Sequence, residues 1–205
     1  MKVRINHDGL ELEAILRIPK NSTGLVIFAH GSGSSRLSPR NNFVAQWLNT
    51  QGIATLLADL LTPEEDTDYQ KRFDIELLTK RLLNTTQWAE HEQSVSNLAV
   101  GYFGASTGGA AALQAAAKLG KKIIAVVSRG GRPDLAPDIA KVTAATLLIV
   151  GGNDYGVIEL NEAALKSLTG PKDMATVPGA THLFEEPGAL EQVADLAAKW
   201  FKKYF

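Results

Sequence analysis

Apolar runs with β-strand character alternate with helically spaced segments along the whole chain, and this alternation constrains the fold more than any other feature. "GLVIFAH" (24–30), "IATLLADL" (53–60), "NLAVGYFG" (97–104), "KIIAVVS" (122–128), "ATLLIVGG" (145–152) and "KDMATVP" (172–178) read as strands. Several are apolar without interruption, the pattern of a strand buried on both faces. Helical spacing fills the gaps at 41–52, 71–92, 106–120, 156–170 and 187–205. "VRI" and "LELEAILRI" (10–18) flank His7-Asp8-Gly9, an Asp-Gly turn signal, and predict an opening hairpin. Residues 61–70, "LTPEEDTDYQ", are the most loop-like segment. The expected fold is a three-layer α/β sandwich: a mostly parallel sheet of about eight strands, helices on both faces, and an N-terminal antiparallel hairpin. With no repeat and no linker, residues 1–205 are expected to form a single domain. In such sheets ligands bind beyond the carboxyl ends of the strands.

Composition removes several functions. The net charge of -1 offers no electrostatic footprint for nucleic acid or an anionic membrane. No cysteine is present, so disulfides, thiolate metal sites and a cysteine nucleophile are excluded. No His/Asp/Glu cluster has metal-ligand spacing, and neither a metal nor a cofactor is expected. "MKVRINHDG" contains no apolar leader, and no apolar stretch approaches the ~18 residues that cross a bilayer. A cytoplasmic location is the expectation.

The chemistry concentrates around "GYFGASTGGAAAL" (101–113). Gly104-Ala105-Ser106-Thr107-Gly108 matches G-x-S-x-G between a strand and a helix, the context of a nucleophile elbow. Small neighbours let strand and helix approach, and the hydroxyl emerges at a helix N-terminus. The same string also suits a tight turn with a capping serine, so the partners decide. His182, in the loop after the last strand, is the candidate base. His7 and His91 read as surface residues, and His30 reads as a loop buttress. Asp154, after "LLIVGGN", is the candidate acid that orients the imidazole. Asp134 is its rival and reads as a helix cap; Asp59 is a third choice. An oxyanion hole needs two converging backbone N–H groups. Thr107 and Ser32 in "HGSGSS" (30–35) are the candidates.

The order Ser106, Asp154, His182, together with the strand pattern, the elbow and the "HGSGSS" loop, resembles the α/β-hydrolase superfamily over nearly the whole chain. It is most similar to the small dienelactone-hydrolase-like branch, since the run from Ser106 to His182 leaves no room for a cap domain. Dienelactone hydrolases proper carry cysteine in the elbow where this chain has Ser106, so their substrate is not carried over. The resemblance implies a serine hydrolase acting on a small-molecule ester or thioester. A non-catalytic binding module on the same fold and another triad chemistry, perhydrolysis or lyase action, are the alternatives. Arg36, Arg129 and Arg132 lie on loops at the crevice side, with Arg40 nearby. Each either fixes a loop through acids such as Asp134 or binds an anionic group of the substrate.

Overall fold

The computed structural model describes residues 1–205. Strands β1 (Lys2–His7), β2 (Leu10–Arg17), β3 (Gly24–Ala29), β4 (Ala54–Ala58), β5 (Ala99–Ala105), β6 (Ile123–Arg129), β7 (Ala145–Gly151) and β8 (Lys172–Val177) form one sheet in the order β1-β2-β4-β3-β5-β6-β7-β8. From β4 to β8 the strands are parallel; β1–β2 and β2–β4 are antiparallel. Every residue of β3, β4 and β7 is buried, as their uninterrupted apolar sequences require of central parallel strands.

The helices are α1 (Pro39–Thr50), α2 (Tyr69–Arg72), α3 (Ile75–His91), α4 (Thr107–Leu119), α5 (Tyr155–Ser167) and α6 (Ala189–Tyr204). α3, α4 and α5 pack with one sheet face around Leu78, Leu82, Leu113 and Ala164. α1 and α6 pack with the other around Leu48, Val193 and Phe201. The helix expected over 71–92 is in fact two, because Asp74 restarts it: its carboxylate accepts from Leu77 N–H at 2.9 Å. α1 begins two residues earlier than its apolar spacing indicates. Ser38 caps it and Pro39 takes the first turn, the position where a missing N–H costs nothing.

The chain passes from β3 to β4 on one side and returns to β5 on the other, so the order reverses at β3/β5. Loops leaving β3, β5, β6, β7 and β8 therefore meet at one end of the sheet, where the crevice forms.

His7 departs from expectation. It ends β1 on the same side as Ile5 and is buried, at 4% exposure, with neither ring nitrogen hydrogen-bonded. Burial, reinforced by the Arg81 cation, holds its pKa down at about 4. A histidine that must be neutral when folded binds fewer protons than in the unfolded chain, where it titrates near 6.5. Its stabilising contribution is whole above pH ~6.5 and lost as pH falls toward 4. We predict that between pH 6.5 and 5 the loss amounts to about 1 kcal/mol after allowance for solvent screening at this edge hairpin. Thermal melts of the wild type and His7→Asn across that range measure it; parallel pH dependences would refute it.

Candidate active site

Ser106 sits between β5 and α4 with φ 51° and ψ -121°, a strained backbone for a residue with a Cβ. Its surroundings hold it there. Ser106 N–H donates to Arg129 O at 3.2 Å, and Ser106 O accepts from Gly109 N–H at 2.9 Å and Arg132 N–H at 3.2 Å. The motif glycines are a steric necessity. A Cβ on Gly104 would meet the backbone of Gly108 and Gly109, and one on Gly108 the carbonyls of Ala29 and His30, all well inside 3.0 Å. Strand, elbow and the β3 loop thus close on one another without space for a methyl group.

Three candidates from separate loops converge. His182 Nδ1–H donates to Asp154 Oδ2 at 2.7 Å, and His182 Nε2 accepts from the Ser106 hydroxyl at 3.3 Å. Asp154 stands at the N-terminus of α5 without capping it; its carboxylate is turned to the imidazole instead. The other acids are engaged elsewhere. Asp134 takes the fork of Arg132 through 2.8 and 2.6 Å bonds and caps no helix, contrary to expectation. Asp59 accepts from the backbone and guanidinium of Arg36.

His30 is the buttress its position indicates. Its Nε2 accepts from Leu60 N–H at 2.9 Å and its Nδ1–H donates to Gly31 O at 3.1 Å. With both nitrogens occupied and burial lowering its pKa, it is a neutral structural residue. His91 lies exposed at the end of α3.

The pocket at Ser106 has a volume of about 160 Å³. Ser32 lines it and its N–H makes no backbone hydrogen bond. Thr107, the first residue of α4, has no intrahelical partner for its N–H. Thr107 directly follows Ser106 in the chain, and Ser32 shares the pocket lining with Ser106.

The three arginines part company. Arg36 pairs with Asp59 and Glu13 and ties the 30–36 loop to β2 and β4, away from the pocket. Arg132 is held by Asp134 and does not line the pocket either. The expectation of an anion site therefore has no support at these two. Arg129, at the end of β6, does line the pocket. It is 7% exposed, has no carboxylate within ion-pair distance, and lies 5.6 Å from the Phe184 ring centroid. Burial, then the like charge of Arg40, pushes its pKa down to about 10.

Sequence reasoning overlooked the contribution of α1, whose Ser38 and Asn41 also form the pocket wall. The Ser-Pro pair at 38–39 was the available signal, since it places a helix N-terminus at this end of the sheet. It also overlooked Asn161, fully buried on α5, whose amide donates to Gly131 O at 3.0 Å and steadies the turn after Arg129. Nothing in its local sequence announces that role.

The architecture is the α/β-hydrolase fold, a class whose reaction centre is built on the loops that meet here. The chain belongs to the dienelactone hydrolase family, whose sequence profile matches residues 12–205. The solved dienelactone hydrolase of Anabaena variabilis is 53% identical, with a TM-score of 0.96 over 100% of this chain and 97% of that one. Est1E of Butyrivibrio proteoclasticus, 20% identical, shares the fold at TM-score 0.85 over 99% and 98% of the two chains. Two curated proteins from strains of Mycobacterium tuberculosis, provisionally named phosphoribosyl transferases, are 57% identical over 187 residues. That match takes in 91% of this chain but 42% of theirs, so the chain spans less than half their length. No helix is long and apolar enough to cross a membrane.

Proposed function

We propose that the chain is a serine hydrolase that cleaves an ester or thioester of a small molecule through an acyl-enzyme on Ser106. The observation that carries this is the unbroken relay from Asp154 Oδ2 to His182 at 2.7 Å and from His182 to Ser106 Oγ at 3.3 Å. The longer second bond lies within the range common in unliganded sites, which tighten when substrate binds.

In the reaction, His182 Nε2 takes the Ser106 proton as Oγ attacks the carbonyl carbon, and then gives that proton to the leaving oxygen or sulfur. Asp154 keeps the Nδ1–H tautomer and stabilises the imidazolium. Thr107 and Ser32 N–H groups receive the developing oxyanion; one such donor is worth about 2.7–4 kcal/mol of barrier. Water, deprotonated by the same histidine, then releases the acid and restores Ser106.

The dienelactone hydrolase name of the Anabaena protein supports hydrolysis. The phosphoribosyl transferase name belongs to chains more than twice as long, and this site's relay is suited to acyl transfer. A binding module would have no use for a serine held in strain against a base.

A fluorophosphonate probe tests the reading. We expect stoichiometric modification with the label on the peptide containing Ser106; no labelling, or a label elsewhere, would overturn it.

A further inference from the structure

Arg129 has not been assigned a task by the reaction just described. A guanidinium this nearly buried normally has a carboxylate or carbonyl partner, because losing most of its hydration without compensation is costly. Arg129 has neither: it makes no side-chain hydrogen bond and no ion pair, and its open side is the Ser106 pocket. Asn41, 3% exposed, lines the same wall; its unpartnered Oδ1 is an acceptor and would take a donor, not an anion. Beside it Arg40 faces the pocket too, engaged only at 2.9 Å by Glu185, whose side chain is 62% exposed. Both residues belong to the first turn of α1, a twelve-residue helix whose N-terminus adds partial positive charge.

The charge count is one-sided. The lining includes Arg129, Arg40 and His182 and no acidic residue. Asp154 stands behind the imidazole on Nδ1, and Glu185 approaches Arg40 from the solvent side. The unpaired charge of Arg129, with Arg40 held only by an exposed carboxylate that a ligand can displace, matches a group of charge near -2 with several acceptor oxygens better than a single carboxylate. The small volume and the scarcity of apolar lining, Ala105 and Leu183 alone, argue against a long acyl chain.

We propose that the substrate carries a phosphate group, which Arg129 and Arg40 hold at the N-terminus of α1 while the acyl carbon faces Ser106. This rests on the serine-hydrolase reading. Arg129 is then the residue that sets specificity, and its charge is offset only when substrate is bound.

The test uses p-nitrophenyl esters of three acids of similar length, ending in methyl, carboxylate or phosphate: butyrate, hemisuccinate and 3-phosphooxypropionate. The phosphate ester should exceed butyrate by about 10- to 100-fold in kcat/KM, the range of charge-assisted bidentate contacts, and should also exceed hemisuccinate. Inorganic phosphate should inhibit butyrate hydrolysis competitively, at constant ionic strength. Arg129→Met should lower the phosphate-to-butyrate ratio at least tenfold. Should that variant not fold, the wild-type ranking and the phosphate competition decide alone. Equal turnover of the three esters, or hemisuccinate ahead of the phosphate ester, overturns the proposal while leaving the hydrolase in place. Failure of a fluorophosphonate to label Ser106, with no ester turned over, removes the hydrolase reading itself.

Discussion

Ser106→Ala is expected to leave a folded protein whose ester hydrolysis falls by roughly 10⁴- to 10⁶-fold in kcat, because members of such a triad act as a unit. Folding should survive, since the hydroxyl's contact is with His182 and alanine keeps the same Cβ in the same strained backbone. Residual turnover above the uncatalysed rate would come from the Thr107 and Ser32 donors and from substrate binding. Circular dichroism and a melting curve establish the fold, and single-turnover kinetics read the loss. Activity within tenfold of wild type would remove Ser106 from the reaction.

Asp154→Asn should be nearly as damaging, at about 10³- to 10⁴-fold in kcat. The amide can donate to His182 Nδ1 and so select the tautomer that places a proton on Nε2, where Ser106 needs an acceptor. The 2.7 Å bond makes the imidazole sensitive to this change. Asp134→Asn is the control. It loosens a partly exposed pair with Arg132 and should cost at most about 1 kcal/mol of stability with little effect on kcat. If the two substitutions exchanged phenotypes, the acid would come from the β6 loop and the 2.7 Å contact would be incidental.

The alternation of buried strands and helices was legible because side-chain burial along a strand or helix is a local, periodic property. The eight-stranded sheet follows from it. The same holds for the elbow, whose glycines are dictated by the backbone approach they permit. The gap that splits the helix over 71–92 was readable too: Asp74 directly before the apolar-spaced run from Ile75 is an N-cap signal. His7 was misjudged for a related reason. A turn sequence suggests exposure, yet the two-residue strand period from Ile5 places His7 on the inner face.

Ser106, Asp154 and His182 could be nominated from sequence because each follows a strand that ends at the same edge. Their distances came only from the sheet order, which brings together loops 28 and 76 residues apart in the chain. The arginines show the divide most clearly. Arg129 and Arg132 are three positions apart and chemically identical. Arg132 finds Asp134 two residues away, a local pairing, whereas Arg129 is the last residue of a central strand and lies over the Phe184 ring at the Ser106 pocket, with no acid in ion-pair reach. Strand identity and the chemistry of the reacting residues were set by local sequence. Which cation is neutralised and which faces the pocket is a matter of non-local packing, because an ion pair depends on what the whole fold places within a few ångströms.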